Sequence, residues 1–466
     1  MASFLAPPAY KPEQTGPEAD AKYKKLRWQV FIGIFIGYAG FYLVRQNMSM
    51  VKPLLTGTAF GYTNAEVATA ASSLSIAYAL SKFLMGSISD RSNARKFLPL
   101  GLILTAIAMF FMMVPINIWG KTNHALTIGC LTVCNFLVGW FSGMGWPPCG
   151  RVLAHWFSPK ERGSWMSVWN CAHNVGGALM PLMVPLGAAA FGSWVYGQDK
   201  EMYTLVGAFA FPSAVAILVA IIAYILIRDT PQSCGLPAVE KWRNDYPKGY
   251  SEKSETVLSF KEIFLKYVLP NKFLWFIAFA NVFVYMVRYG CFTWAPTFLK
   301  AEHGFDITQA GWVNSLYEWA AIPGTILCGF ISDKVFNGKR AMPTIIFMAL
   351  VGIFVFLYWQ FSSNTIMVYV CMIAIGCLIY GPVMLIGVQA LDLAPKNAAG
   401  TAAGLTGFFG YFFGTAILSE YVLGKVADAY GWNATFICLL IACGLSILFM
   451  SLTYKEENKK ALEEKK

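Results

Sequence analysis

Long apolar segments recur along the whole of this 466-residue sequence. A bilayer core needs about 20 apolar residues per helix, and each segment has roughly that length. Hydrophobic residues make up 57% of the chain and charged residues only 13%, about half the charge of a soluble protein. We therefore predict an all-α membrane protein with twelve transmembrane helices, near residues 29–50, 64–88, 97–118, 126–154, 164–189, 204–227, 273–297, 309–332, 342–360, 366–392, 399–424 and 434–453.

The basic residues lie mostly on one side of the predicted bundle. A net charge of +11 could suggest nucleic-acid binding, but most of the 36 Lys and Arg residues fall in the loops that share a side with both termini. Five fall in loops of the other side: Lys52, Lys121, Lys200, Lys300 and Lys425. Basic loops face the cytoplasm, so we expect cytoplasmic termini, a bilayer around the chain and no nucleic-acid partner.

Targeting, disulfide and metal-binding patterns are missing from the sequence. The first residues lack the charged and short apolar regions of a cleavable signal peptide. The eleven cysteines have no disulfide spacing, and most lie in apolar segments as small buried side chains. The four histidines have no metal-ligand spacing with Cys or carboxylates. We therefore predict no metal and no cofactor.

One polar segment, residues 228–272, divides the chain between the sixth and seventh spans. Within it, KEIFLKYV (261–268) could form a short amphipathic helix at the membrane surface. The predicted organisation is a cytoplasmic N-terminal segment, a six-helix bundle, a cytoplasmic linker, a second six-helix bundle and a cytoplasmic tail, at 1–28, 29–227, 228–272, 273–453 and 454–466.

The two predicted bundles repeat each other. Arg45 ends FYLVR (41–45) and Arg288 ends VYMVR (284–288), 243 positions later. Three more identities have the same offset: Tyr42 with Tyr285, Gly86 with Gly329 and Asp90 with Asp333. A parallel repeat of six-helix halves is the layout of major facilitator transporters, whose substrate lies between the halves at mid-membrane.

The repeated arginines indicate an anion site. An arginine at the centre of a membrane helix costs about 2.5–3.5 kcal/mol on insertion scales, and a snorkelling or salt-bridged arginine is the simpler alternative. The duplication favours function, because two guanidinium groups can each form a fork of hydrogen bonds to a phosphate. Tyr38 and Tyr42 are spaced i, i+4 and i+7 with Arg45, as one helix face requires.

Other polar residues lie within the apolar segments. In SVWNCAHNVGG (167–177), Asn170 and His173 share a helix face. This pattern suits a helix–helix hydrogen bond equally well, and the two arginines favour a functional role. Lys82 and Glu318 are further intramembrane charges that need partners; a pair that breaks during transport and a static pair are both possible. Tyr380 and Tyr411, each considered alone, suit ordinary packing better than ligand binding.

A Gly-x-x-x-Asp motif with basic residues follows the second and the eighth span. It contains Asp90 and Arg91 in the first half, and Asp333 and Lys334 in the second. Glycine allows close helix packing, and basic residues hold a loop on the cytoplasmic side. We expect these residues to act in gating rather than in substrate contact.

Together these segments resemble the organophosphate:phosphate antiporters of the major facilitator superfamily, and most closely the bacterial glycerol-3-phosphate transporters. The likeness extends over nearly the full chain, in GYAGFYLVRQN, GWPPCGR, SVWNCAHNVGG, NVFVYMVRYG and AGTAAGLTG. It implies a non-enzymatic rocker-switch antiporter of the bacterial cytoplasmic (inner) membrane. Glycerol-3-phosphate would enter in exchange for inorganic phosphate, and we expect a monomer.

The resemblance also implies roles for individual residues. Arg45 and Arg288 would hold the phosphate, and the site would be lined by His173, Asn170, Tyr38, Tyr42, Tyr285, Tyr380 and Tyr411, with Lys82 and Glu318 in the polar network. Two positions depart from the family pattern. Gln46 stands where relatives carry Lys, and Thr293 stands where they carry Asp. A cation and an anion are thus missing together, which removes any gating step that needs that pair.

Alternative functions remain open at this point. A hexose phosphate or a phosphonate presents the same dianion as glycerol phosphate. A related membrane protein could sense a sugar phosphate without transporting it. A proton-driven transporter could use His173 and Glu318 as proton carriers.

Overall fold

The computed structural model describes residues 3–90, 92–245, 265, 269–393 and 399–463. Six long helices, α1 to α6, form the first half: Pro17–Leu43, Asn64–Asp90, Ala94–Phe110, His124–Ser142, Ala172–Tyr196 and Phe211–Leu226. Shorter helical pieces adjoin them at Ser3–Leu5, Met48–Leu55, Met113–Trp119, Trp146–Trp156, Pro159–Asn170, Lys200–Met202, Tyr203–Leu205 and Val206–Ala210. Gln232–Cys234 and Val239–Arg243 follow α6.

The second half contains α7 to α12: Lys272–His303, Ile307–Phe330, Ala341–Gln360, Thr365–Leu393, Ala399–Phe409 and Leu423–Glu463. Two π-helical pieces adjoin them, Ile331–Val335 after α8 and Gly410–Val422 between α11 and α12. Polar residues begin several of these helices by accepting hydrogen bonds from free backbone N–H groups: Asn93 before α3, Asn123 before α4, Asn271 before α7 and Asp306 before α8.

Nine helical stretches of the described residues are long and apolar enough to cross a membrane. One of them, Gly404–Tyr454, has 51 residues, about twice the length that one crossing needs. It is interrupted at Gly431 (φ 77°, ψ 178°), so it supplies two crossings. The more polar α2 and α8 complete the set of twelve. The predicted all-α architecture with twelve transmembrane helices is therefore confirmed.

With twelve crossings, both chain ends lie on one side of the bundle, here called the terminal side; the other is the far side. Helix α2 packs on Gly410–Val422, and α5 packs on α8, so these segments join the two halves. A Cβ atom on Gly311 of α8 would lie 2.8 Å from the Pro181 carbonyl oxygen of α5. Only glycine allows the two backbones to approach this closely.

The two repeated arginines lie in different local structures. Helix α1 ends at Leu43, and residues 44–47 are not helical. Asn47 Nδ2 stabilises this break by donating to the carbonyls of Leu43 (3.0 Å) and Ala208 (2.7 Å). Helix α7 continues without a break through Arg288. The prediction that Arg45 shares a regular helix face with Tyr38 and Tyr42 is therefore wrong, because the helix ends before Arg45.

The linker begins with a structured part that packs on the first half. Trp242 of Val239–Arg243 stacks on Tyr23 of α1, with ring centroids 4.1 Å apart. The segment KEIFLKYV (261–268) lies outside the described residues except for Leu265. The proposed domain bounds stay a prediction.

Candidate functional site

A cavity of about 220 Å³ lies between the two halves. Its walls carry several side chains that the sequence predicted for the site: Tyr38, Tyr42, Lys82, Asn170, His173, Tyr285, Arg288, Tyr380 and Tyr411. Thr325 of α8 also lines it. Lys82 of α2 and Thr325 both lie in the parts of their helices nearer the terminal side. The cavity therefore extends from the level of Arg288 toward the terminal side.

Arg288 lies near the middle of α7 and is 6% exposed. Its Nη2 atom donates a hydrogen bond to Tyr380 Oη (2.9 Å), and the guanidinium carbon is 4.2 Å from the centre of the Tyr380 ring. Tyr380 Oη in turn donates to Glu318 Oε1 (2.5 Å). The buried cation is thus linked to a buried carboxylate through one hydroxyl group.

Arg45 lies behind a layer of tyrosines rather than in the cavity wall. Its guanidinium carbon is 3.7 Å from the centre of the Tyr78 ring, and Nη1 donates to Tyr42 Oη (3.2 Å). Arg45 is 2% exposed, and its Nε and Nη2 atoms have no hydrogen-bond partner among the described residues. These two atoms form one edge of the guanidinium, the edge that can grip an oxyanion with two parallel bonds.

Tyr411 contacts both the tyrosines near Arg45 and those near Arg288. Its ring centroid is 4.9 Å from that of Tyr78 and 5.0 Å from that of Tyr285. The Arg45 guanidinium carbon is 5.5 Å from the Tyr411 ring centre, and the Arg288 carbon is 5.7 Å from that of Tyr285. One continuous group of tyrosines therefore contacts both cations, and cation–π attraction helps to hold them in an apolar setting.

His173 and Asn170 stand on the first-half wall of the cavity. The chain turns at Cys171, and His173 Nδ1 forms a hydrogen bond with the Asn170 carbonyl. The imidazole ring centroid is 5.5 Å from that of Tyr42 and 5.9 Å from that of Tyr380. His173 therefore lies between tyrosines of the two halves.

Glu318 is held by neutral partners from both halves. Besides Tyr380, it accepts a hydrogen bond from Asn174 Nδ2 of α5 (3.0 Å). A Cβ atom on Gly177 would lie 3.1 Å from the Glu318 carboxyl carbon, so α5 and α8 approach closely here. Lys82 is exposed at the terminal-side end of the cavity.

Asp333 and Lys334, which the sequence predicted to act in gating, do not line this cavity. Asp333 pairs with Arg340 (2.5 Å) and its side chain is 60% exposed, while Lys334 is exposed. The Asp90 side chain and all of Arg91 lie outside the described residues. In the corresponding loop of the first half, Arg151 donates to the carbonyls of Ser89 (3.1 Å) and Ser92 (2.6 Å).

Several neighbours of the site were missed from the sequence. Tyr78, Tyr289 and Asn174 contact the predicted residues directly, but each looks like an ordinary helix residue in the sequence. Lys52, assigned to a far-side loop, is instead 1% exposed and paired with Glu420. Among the described residues, no group of three or more His, Cys, Asp or Glu side chains could hold a metal ion.

Comparison with known proteins decides the family. The sequence profile of the Major Facilitator Superfamily matches residues 31–419. The chain belongs to this superfamily. It is similar to the glycerol-3-phosphate transporter of Bacillus subtilis (strain 168), with 49% identity over 97% of this chain and 98% of the relative. It is also similar to the glycerol-3-phosphate transporter of Haemophilus influenzae (strain ATCC 51907 / DSM 11121 / KW20 / Rd), with 46% identity over 96% of this chain and 95% of the relative.

A solved structure shares the fold of this superfamily member. The crystal structure of a bacterial homologue of the human lysosomal transporter Spinster, inward-facing and unoccupied, superposes with a TM-score of 0.72. It is 18% identical and covers 93% of this chain and 98% of its own. The family and the relatives identify the chain as a multi-pass membrane protein of a transporter superfamily and not an enzyme.

Proposed function

We propose that this protein imports glycerol-3-phosphate in exchange for inorganic phosphate. The main support is the pair of buried arginines, one from each half, that contact one group of tyrosines at the interface between the halves. Two relatives that match over nearly the whole chain are named glycerol-3-phosphate transporters. A phosphate monoester and inorganic phosphate present the same oxyanion, so both can compete for one site.

The chemistry around the arginines favours a phosphate group. Buried cations without carboxylate partners are costly, and a dianion between Arg45 and Arg288 would offset that cost. The free edge of Arg45, with Nε and Nη2, suits two parallel hydrogen bonds to phosphate oxygens. To reach a ligand in the cavity, Arg45 must approach through the layer formed by Tyr42, Tyr78 and Tyr411.

The size of the cavity favours a small organophosphate. Its volume of about 220 Å³ lies below the range of about 300–1,000 Å³ that is typical of drug-sized ligands. A three-carbon phosphate is the smaller of the two candidate substrates and suits a site of this size, and competition by glucose-6-phosphate decides between them. The alternative of a hexose-phosphate exchanger predicts that glucose-6-phosphate competes on equal terms.

The position of one arginine in each half, Arg45 and Arg288, would explain why transport is an exchange. A bound phosphate would draw Arg45 and Arg288 together, and so lower the barrier to a rocker-switch movement. The empty carrier keeps two cations that repel each other, so it would switch slowly. Substrate would then cross only when phosphate returns. The distribution of basic residues favours cytoplasmic termini. The proposal includes a monomer in the bacterial cytoplasmic membrane, in line with the family resemblance.

Transport in liposomes tests this proposal. Full-length protein is reconstituted with internal phosphate, and uptake of labelled glycerol-3-phosphate is followed with glucose-6-phosphate as a competitor. We expect uptake that requires internal phosphate and resists the competitor. Binding without uptake would indicate a sensor, uptake without internal phosphate would refute exchange, and equal competition would assign the hexose-phosphate function.

A further inference from the structure

A buried ion pair joins the two halves on the far side of Arg45. Lys52, in the short helix Met48–Leu55, lies 2.5 Å from Glu420 of Gly410–Val422, measured from Nζ to Oε2. Their side chains are 1% and 5% exposed. The Lys52 ammonium also lies 3.9 Å from the centre of the Trp294 ring of α7. One first-half cation is therefore held by two side chains of the second half.

This pair borders a small space at a level between two larger cavities, with which it shares no lining residue. A space of only about 10 Å³, room for about one water molecule, is bordered by Arg45, Lys52, Glu420 and the neutral Gln46 and Thr293. The central cavity of about 220 Å³ lies on its terminal side. A cavity of about 550 Å³ lies on its far side, bordered by Met50 and Pro53, the close neighbours of Lys52.

Further far-side contacts cross between the halves near the pair. Asp428 accepts hydrogen bonds from the backbone N–H groups of Asn64 (3.0 Å) and Ala65 (2.6 Å), at the start of α2. Lys300 Nζ donates to the Pro53 carbonyl (3.3 Å). These contacts are exposed to solvent, where polar interactions are weak. Of these described far-side contacts, the Lys52–Glu420 pair is the buried one, and breaking a buried pair costs more than breaking an exposed one.

We propose that the Lys52–Glu420 pair is the far-side gate of the substrate path, and that its separation opens the site to the far-side solution. This inference rests on the alternating access proposed above. With the pair formed, the halves are closed at this level and the central cavity faces the terminal side. Separation exposes both charges to water, which compensates for the lost contact. Lys52 then becomes a cation in the path, available to an arriving phosphate group.

Substitution of Glu420 and substitution of Lys52 leave different unpaired charges in the closed state. Without the Glu420 carboxylate, the closed state buries two cations, Lys52 and Arg45, around one small space. A buried charge that loses its partner is strongly destabilising, whereas replacement of both partners by neutral groups often is not. Glu420→Gln is therefore expected to open the far side, and Lys52→Met/Glu420→Gln to close it again. Lys52→Met alone leaves Glu420 near Arg45 and opens it less.

Cysteine labelling in full-length protein tests the gate without any organophosphate. One cysteine replaces Ser75, which borders the small space and is 3% exposed, in a chain whose eleven native cysteines are replaced. A second probe replaces Thr325 of the central cavity. Membrane-impermeant thiol reagent is added from the far side for the first probe and from the terminal side for the second. Asp229→Asn, which breaks the partly buried Arg151–Asp229 pair (3.0 Å) between the first half and the start of the linker, is the matched control.

We expect Glu420→Gln to speed labelling at position 75 at least tenfold and to slow labelling at position 325. The double variant should return both rates to within threefold of the parent, and Asp229→Asn should leave both within threefold. An unchanged rate at position 75 refutes the gate, and faster labelling at both positions means that the pair is only structural. If Glu420→Gln is not recovered from the membrane, Lys52→Met decides, because an unchanged rate at position 75 also refutes the gate.

Labelling and transport distinguish the two proposals. Absence of glycerol-3-phosphate exchange with the expected labelling order would remove the proposed substrate and keep the gate. Normal exchange with no response at position 75 would keep the substrate and remove the gate.

Discussion

Replacement of Arg45 by lysine isolates the role of the guanidinium fork. Lysine keeps the positive charge but offers a point charge in place of two parallel donors. In the structure, Arg45 Nη1 is engaged with Tyr42, while Nε and Nη2 are unpartnered among the described residues. The substitution therefore removes one of two hydrogen bonds to a phosphate. A charge-assisted hydrogen bond contributes about 1.5–3 kcal/mol, so kcat/KM for exchange should fall about ten- to 150-fold.

The assay is exchange of labelled glycerol-3-phosphate into phosphate-loaded liposomes, with the amount of reconstituted protein measured for each variant. Arg95→Lys is the matched control, because Arg95 also stacks on a tyrosine, Tyr224 (4.6 Å), and donates to its carbonyl (2.9 Å) outside the cavity. The control should keep exchange within threefold of the parent. An Arg45→Lys variant with full exchange would show that charge alone holds the phosphate, and the two-bond grip would be refuted.

Three further predictions use the same parent protein. Tyr380→Phe removes the hydroxyl between Arg288 and Glu318, so exchange in liposomes should fall about tenfold, and an unchanged rate would contradict this link. Trp242→Ala removes the stack on Tyr23 and should lower Tm in detergent by several degrees without changing the substrate specificity of exchange; an unchanged Tm would mean that the linker contact is not stabilising. Burial alone would raise the pKa of Glu161, but its hydrogen bond to Arg27 and the nearby Arg243 charge hold that pKa below its ordinary value of 4.5. The ionised Glu161 carboxylate therefore stabilises the fold above pH 4.5, and this stabilisation is lost as the pH falls through the lowered pKa. Glu161→Gln should accordingly reduce the fall of Tm at acid pH. An unchanged fall of Tm at acid pH would refute this role of Glu161.

The fold and the arginine pair could be predicted because their signals are local and repeated. Apolar segments of membrane-spanning length define the helices without any knowledge of their neighbours. FYLVR and VYMVR place Arg45 and Arg288 at equivalent positions, whatever surrounds them. The same repeat predicted that Tyr42 and Tyr285, each three residues before an arginine, lie near it.

The structural features that the sequence did not predict depend on contacts between distant parts of the chain. The break in α1 is stabilised by a bond from Asn47 to Ala208, and the far-side pair joins Lys52 to Glu420. No local pattern links residues 161 or 368 positions apart. Lys52 looked like a loop cation because it follows an apolar run, and only its distant carboxylate explains its burial. Tyr78 was missed for the same reason, because its partner Arg45 lies in another part of the chain, the non-helical break after α1.

The interrupted α1 and the continuous α7 give the two halves different tolerance to insertions and deletions. One residue added to a continuous helix rotates everything beyond it by about 100°, so an insertion before Arg288 would turn that side chain out of the cavity. Residues 44–47 are not helical, and such a segment can absorb an extra residue locally. After the duplication, evolution could therefore adjust the length of the chain around Arg45 while the corresponding stretch of α7 stayed fixed in length.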